Sequence, residues 1–454
     1  MTRREFCKGS VGLAGIIASG YGPSLYAAGA NDRVRVACVG YSDRFRDSLL
    51  PCFLQHRKEL DFDLVAVADL WKKRLHERAK PELEKKLGHA VATYSSDVEL
   101  YEKAKDVDAV IVSTADFQHA QHACHAVNAG KDAYCEKPMA EDMYSANMLL
   151  DAVNAKRAPG EGGILPGGVL QIGSQRRSGA AYLAAKEHFD SGKFGELTYV
   201  DLCWNVNQPR RWRRDEKLVA SLRKEDVDWN LWLLDRDPSV NAFDPRKYLE
   251  FRLFWPFSSG IPGQWMCHQI DTVSWYTGLK YPLSAVSSGG LYAWDDGRQS
   301  YDTFTTILEY GPSKLNDRGF TAVFSSRQTN AARGNVEKYH GPKGTVDLCA
   351  GTWSNEGVEG AKRESGKLTE NYQKAATAAN TGGDPLTSAH MRNWMECVRS
   401  RRNPNAPVDA GYGHTVALIM SNAALRTGLK ATFDPAARQV LVGGRPWTGY
   451  RSIA

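Results

Sequence analysis

The chain has 454 residues, 42% of them apolar and 24% charged, which leaves room for two ordinary domains and excludes a disordered or fibrous protein. The formal net charge is +6; Arg3, Arg4 and Lys8 against Glu5 account for +2 of it, so the rest of the chain carries +4. Without a basic helix or an RNA-type motif, so mild an excess excludes nucleic acid as an expected partner.

Thr2-Arg3-Arg4-Glu5-Phe6-Cys7-Lys8 resembles the twin-arginine export consensus. It precedes a short Gly/Ala-rich apolar run from Val11 to Ala18 and a small-x-small site at Ala28-Gly29-Ala30. The run is too short to span a bilayer comfortably. Residues 1–30 are therefore expected to be an export signal, with a periplasmic or otherwise exported product and no stable membrane insertion once it is removed. None of the nine cysteines forms a C-x-x-C pair, and Cys38 and Cys135 fall in apolar strands as small hydrophobes. A disulfide is open in an oxidising compartment, but its pairing is not readable from sequence.

Val34–Gly40 reads as a strand ending in glycine, where a dinucleotide fold begins. Of the usual G-x-G-x-x-G only Gly40 is present in Gly40-Tyr41-Ser42-Asp43-Arg44-Phe45: Ser42 adds a side chain where backbone should meet pyrophosphate, and Phe45 is bulky where helix and strand pack. Leu64–Ala68 is a second strand ending at Asp69, whose carboxylate can accept from adenosine ribose hydroxyls and favour NAD, although Lys72, Lys73 and Arg74 leave NADP open. Asp97 opens a helix, and Asp108–Ser113 is a further strand. His119, His122 and His125 follow at three-residue spacing. That spacing drifts around a helix and no acidic partner is evident, so no metal site is expected; His119, beside the strand end, is better placed near a cofactor. Ala133–Cys135 then stops at Glu136-Lys137-Pro138, where open α/β sheets bind ligands and a lysine can exchange a proton with a substrate oxygen.

The second half reads as α+β. Leu197–Val206, Leu283–Tyr292, Asp302–Glu309 and Phe320–Arg327 have strand character, and Val336–Leu348 adds two short strands around Gly341-Pro342-Lys343-Gly344. Met391–Arg399 and Thr415–Arg426 look helical. Pro159–Gly168 is the expected interdomain loop, and Gly351–Gly383 a long surface excursion. Arg210-Arg211-Trp212-Arg213-Arg214 is either a solvated loop or a recognition element for an anionic sugar or phosphate.

These residues together resemble the glucose–fructose oxidoreductase / inositol dehydrogenase (Gfo/Idh/MocA) family, especially its exported members. Thr114-Ala115-Asp116-Phe117-Gln118-His119 is similar to the family's T-P-x-x-x-H, and Glu136-Lys137-Pro138 is its E-K-P. Gln171–Ser178 looks like the strand and loop opening the family's second domain. Trp229–Leu233, Phe254-Trp255-Pro256 and His268-Gln269-Ile270-Asp271 also recur in the exported type. The resemblance implies a Rossmann doubly wound parallel sheet followed by an α+β domain with an open, mostly antiparallel sheet that often packs against another subunit. The expected bounds are 1–30 signal, 31–157 Rossmann domain, 169–430 α+β substrate and oligomerisation domain, and 431–454 tail.

Carried over, Lys137 lies near the nicotinamide and His268 faces the substrate. Gly40, Ser42, Asp69, Thr114, His119, Glu136 and Lys137 form the expected cofactor set. Asp271 would orient the His268 imidazole or bind a hydroxyl; Gln175, Arg176 and Gln264 are the expected substrate contacts, Gln264 replacing the family's usual Asp. The implied activity is hydride transfer between NAD(P) and a CH–OH group of a sugar, glycoside or polyol. Two alternatives stay open: cleavage of a glycoside by transient oxidation and elimination at sugar C3, and non-catalytic ligand binding on the same fold. A homo-oligomer formed through the C-terminal sheet is expected.

Overall fold

The apolar runs of the first half pair as a parallel sheet. In the computed structural model, which describes residues 33–156, 168–369 and 383–449, its strands are β1 (Val34–Val39), β2 (Phe62–Ala68), β3 (Ala92–Tyr94), β4 (Ala109–Val112), β5 (Asp132–Cys135) and β6 (Leu170–Ile172). Their order is β3-β2-β1-β4-β5-β6, and every pairing is parallel. β4 (AVIV) and β5 (DAYC) are buried along their whole length, as strands covered by helices on both faces must be. The order reverses between β1 and β4, and the crevice beyond their carboxyl ends is where such sheets take ligands.

After β1 the chain makes a wide π-type turn at Phe45–Leu49 and continues as α1 (Leu50–Leu60), a long helical run that accounts for the 29-residue separation of Gly40 and Asp69. Phe45 is fully buried, its ring 5.8 Å from that of Tyr41, so the bulky residue at the third-glycine position is absorbed where the helix is widest. α2 (His119–Asn128) and α3 (Met143–Lys156) follow β4 and β5.

The second sheet has eleven strands among the described residues. β7 (Tyr199–Trp204), β8 (Ser284–Gly290), β9 (Thr303–Tyr310), β10 (Phe320–Arg327), β11 (Asn335–Gly341), β12 (Gly344–Asp347), β13 (Thr352–Ser354) and β14 (Ser365–Lys367) are joined by β15 (Ala431–Asp434), β16 (Gln439–Val442) and β17 (Arg445–Pro446). Only the β7–β10 pairing is parallel. Along β9 buried and exposed residues alternate, because one face packs inward and the other is open. The inner face is covered by α4 (Cys267–Thr277) and α6 (Val408–Thr427).

Three boundaries differ from the sequence reading. Residues 170–172 close the edge of the parallel sheet instead of opening the second domain, since β6 pairs with β5. α5 (Pro385–Ser400) returns to the first domain and places Met391, Trp394 and Met395 in its core, with Trp394 against Phe62. Residues 431–446 are not a tail: Asp434 accepts from the Ala436 and Ala437 N–H groups to turn a hairpin whose Val440 is fully buried. The export-signal reading, most of the expected interdomain loop and part of the 351–383 excursion lie outside the described residues.

Candidate active site

A cleft of about 870 Å³ opens at the carboxyl ends of β1, β2, β4 and β5 and extends to β7 and the start of α4. At its nucleotide end Gly40 has φ +87°, and a Cβ there would lie 2.7 Å from Thr114 Cγ2 and 3.0 Å from the Ser113 carbonyl oxygen. Only glycine permits that approach. Ser42 Oγ lies 2.6 Å from Ser113 Oγ and accepts from the Phe45 N–H, so its hydroxyl braces the loop against β4 at the helix start. Loop, helix start and cleft size fit a dinucleotide pyrophosphate, because the first N–H groups of a helix favour anions. Asp43 opposes a phosphate there, but Arg214 at 2.6 Å and Arg46 at 3.1 Å offset it.

Asp69 is placed at the end of β2 as expected, yet its carboxylate is already full. Oδ1 accepts from the Trp71 N–H and Arg74 Nη2, and Oδ2 from the Tyr41 N–H and Arg74 Nε. Those four bonds use the lone pairs a carboxylate offers, so the expected ribose acceptor is instead an anchor for Arg74. Arg74 also donates to Tyr248 Oη from the second domain at 3.0 Å.

Toward the other end stand Lys137 and His268. Lys137 Nζ donates to the Gln264 backbone carbonyl at 2.8 Å, leaving two N–H donors. Burial pushes its pKa below the usual lysine value, against the pull of Cys267, Glu136 and Asp116. Glu136 is held by Arg44 at 2.8 Å, and Cβ-less Gly173 packs against its carboxylate. His268 lines the cleft and its ring makes no hydrogen bond among the described residues. Burial, then the charges of Lys137, Arg176 and Arg44, hold its pKa well below 6.5, so the imidazole is neutral at neutral pH. Trp204 stands 6.0 Å from that ring and stacks on Trp265 at 6.1 Å, and Trp212 closes the wall 5.8 Å from Trp265. Gln175 and Gln264 also line the cleft; Gln175 Oε1 is buried without a partner, while Gln264 Nε2 donates to Asp116 at 2.5 Å.

Other expected positions do not converge. Asp271, three residues past His268, points away from the cleft into a buried pair with Arg177 at 2.8 Å, so it does not orient the imidazole. Arg176 is buried in an ion pair with Glu337 and lies over the Trp204 ring at 5.4 Å; it shapes the wall from behind and is not a substrate contact. His119 lines the cleft, but its ring nitrogens face the Pro138 and Thr114 carbonyls at 2.8 and 3.3 Å, so it fixes the Lys137-Pro138 turn. Thr114 Oγ1 is engaged by His122 at 3.0 Å. Asp97 supplies the acid that was not evident near the histidines: it lies 2.7 Å from His125, and although burial opposes it, His122 and His125 hold its pKa at about 2. Among the described residues no group of three or more His, Cys, Asp or Glu side chains is arranged to hold a metal ion.

Sequence reasoning missed Arg44, Asp116, Arg252 and the pairing of Trp204 with Trp265. Asp116 is fully buried and accepts from Ser258, Gln264 and Arg252. Its position inside the quoted T-A-D-F-Q-H run was the available signal; the other three depend on distant segments meeting.

A parallel 3-2-1-4-5-6 sheet with a ligand crevice at its switch point, followed by a large mixed sheet, defines a two-domain dinucleotide-binding fold. Residues 34–159 match the model of the Gfo/Idh/MocA family (oxidoreductase family, NAD-binding Rossmann fold). Inositol 2-dehydrogenase 2 of Saccharopolyspora erythraea is 32% identical over 144 residues, 31% of this chain and 40% of that enzyme. The match thus spans well under half of the curated relative. Over the whole fold, the aldose–aldose oxidoreductase of Caulobacter crescentus complexed with glycerol superposes with TM-score 0.60 at 16% identity, covering 88% of this chain and all of that one. The WlbA dehydrogenase of Bordetella pertussis in complex with NADH and UDP-GlcNAcA gives 0.61 at 17%, covering 88% and 99%.

Proposed function

We propose that the protein is an NAD(P)-dependent oxidoreductase acting on a CH–OH group of a sugar, glycoside or polyol. The observation that carries this reading is the convergence of Lys137 Nζ and the unbonded His268 ring on one tryptophan-walled cleft beside the Gly40 loop. When bound, the nicotinamide supplies the hydride acceptor or donor. The free N–H donors of Lys137 hold the reacting oxygen, and the cationic surroundings that add to burial in keeping His268 neutral also favour an alkoxide there. In the oxidation direction the hydroxyl proton moves to the His268 ring; in reduction it returns. Trp265 and Trp204, stacked on each other, give the cleft an apolar wall for a pyranose or cyclitol ring to lie along and exclude water. Inositol dehydrogenases and sugar oxidoreductases among the similar proteins support the substrate class.

NAD is the leading cofactor, and NADP is compatible with the engaged Asp69. A second reading, cleavage of a glycoside by transient oxidation with the cofactor retained, is favoured by the Asp43–Arg214 and Arg74–Tyr248 bonds that cross the cleft mouth. We further propose twin-arginine export from residues 1–30, and a homo-oligomer through the outer face of the second sheet, where Val286 and Ile307 are exposed.

The test is mass spectrometry of nucleotide released by acid from natively purified protein, followed by incubation with inositols, hexoses and their methyl glycosides. NAD(H) with a keto product and accumulating NADH supports the first reading. Free sugar without net NADH supports the second. Protein that carries no nucleotide and binds neither NAD nor NADP overturns both and leaves ligand binding alone.

A further inference from the structure

The substrate half of the cleft holds more positive charge than its carboxylates offset. Lys137, Arg211 and Arg252 all line it. Asp116 and Glu136 are the carboxylates nearest Lys137; Ser258, Gln264 and Arg252 already occupy the first and Arg44 holds the second. Among the described residues Arg211 makes no ion pair: Nη1 is bonded to the neutral Gln208 side chain, and Nε is buried without a partner. Arg252 reaches Asp116 at 3.3 Å through Nη2, and its Nε is likewise buried and unpartnered. Burial and then the charge of Arg252 push Arg211 down to about 10, so the two guanidiniums repel each other. An arginine keeps its proton in proteins, and leaving its charge buried without an anion is costly.

The loop that presents Arg211 is fixed in an unusual form. Arg210 and Trp212, on either side of it, have φ +64° and +67°. Left-handed backbone at a tryptophan is rare and persists where surrounding bonds over-determine it, often in ligand clamps. Here Arg298 supplies those bonds, donating to the Arg211 carbonyl at 3.2 Å while its own fork is held by Asp296 and Gln328. The neighbours in the arginine run are committed elsewhere: Arg213 to Glu250 and Arg214 to Asp43. The Arg211 guanidinium lies 5.5 Å from the centre of the Trp265 ring, so it is part of the same tryptophan wall of the cleft.

Resting on the oxidoreductase reading above, we propose that the substrate is a sugar acid whose carboxylate is bridged by Arg211 and Arg252 while its ring lies against Trp265. Two planar forks, each with a free Nε–H, match the lone pairs of one carboxylate. Neither arginine lies on the Gly40 loop, and the titration below uses NAD-loaded protein so that a nucleotide phosphate is already accounted for.

The test uses NAD-loaded protein and calorimetric titration with D-glucuronate, D-galacturonate and D-mannuronate beside glucose, galactose and mannose. At least one acid is expected to bind more tightly than its parent sugar by about tenfold or more, the size of a charge-assisted bond. Arg211→Gln loses that preference and keeps its NAD affinity. Its Tm does not fall below wild type, because an unpaired cation is removed; Arg211→Lys, with charge but no fork, lies between. No acid binding more tightly than its parent, or a preference that survives Arg211→Gln, overturns the proposal. If wild-type protein fails to bind NAD or NADP at all, the oxidoreductase reading falls with it; NAD bound without acid preference removes only the sugar acid.

Discussion

On the glycine-loop side of the cleft, Asp69 is matched by Arg74, Glu136 by Arg44, and Asp43 by Arg214 and Arg46. On the tryptophan side, Lys137 and Arg211 face the cavity with, among the described residues, only carbonyl or amide partners for their side-chain N–H groups. Matched charges fix backbone: they set the loop, the strand ends and the approach of the two domains. Burial lowers the pKa of both His268 and Lys137; at His268 the charges of Lys137, Arg176 and Arg44 add to it, whereas at Lys137 the pull of Cys267, Glu136 and Asp116 opposes it. The same residue types thus serve architecture at one end and chemistry at the other.

The sharpest way to break this contrast is to remove the unmatched lysine. Lys137→Ala should lower kcat/KM by about 10³-fold, or about 4 kcal/mol, with nucleotide affinity retained. The pH profile carries the sign. Activity requires neutral His268, so it rises with pH through a value well below 6.5 and is flat by neutrality. It requires protonated Lys137, so it falls again below the ordinary 10.5, and Lys137→Arg should move that limb upward. An acid limb centred at or above 6.5 would mean that neither burial nor the neighbouring cations act on His268.

Removing a matched charge should act on stability instead. Asp271→Ala leaves Arg177 buried and unpaired and should cost about 3 kcal/mol in a denaturant titration, while kcat of the folded protein holds. The Asp271 carboxyl is held below its usual range because Arg177 and His414 outweigh its burial. Its stabilisation is therefore complete above that range and fades as pH falls through the folded value. A rate loss at unchanged stability would restore the orienting role expected from sequence. A smaller effect follows at Asp69: Arg74→Ala frees its carboxylate and removes a cation, and should shift preference from NADP toward NAD by about tenfold, roughly 1.4 kcal/mol, read as the ratio of the two dissociation constants.

The matched end was the harder one to read from sequence. Strands with continuous apolar runs, such as Ala109–Val112, and the alternating Thr303–Tyr310 announce themselves by burial period, and Lys137 by its place after β5. Asp69 was located but not its occupancy, because Arg74 follows by only five residues and nothing local says that its fork turns back. Asp271 was misassigned since adjacency along a helix says nothing about facing: the turn after His268 packs toward Arg177 and His414. Arg252 and Trp204 owe their places to loops and a strand far apart in the chain, and no short-range pattern encodes such meetings.

The least effect is expected at the Asp43–Arg214 bridge, whose side chains are 28% and 35% exposed. Pairs so exposed contribute about 0.5 kcal/mol, so Arg214→Ala should leave folding and kcat nearly unchanged. What it should change is release: the bridge joins the glycine loop to the arginine-rich loop across the cleft mouth, and opening it should speed nucleotide dissociation about two- to threefold in a stopped-flow chase. Salt distinguishes a bridge from mere packing. Wild-type release should accelerate with ionic strength toward the variant's rate, whereas the variant, lacking the pair, should respond little. Equal salt dependence in both proteins would mean that this matched pair also belongs to architecture alone, and retention of the cofactor would then have to come from the Arg74–Tyr248 side of the cleft.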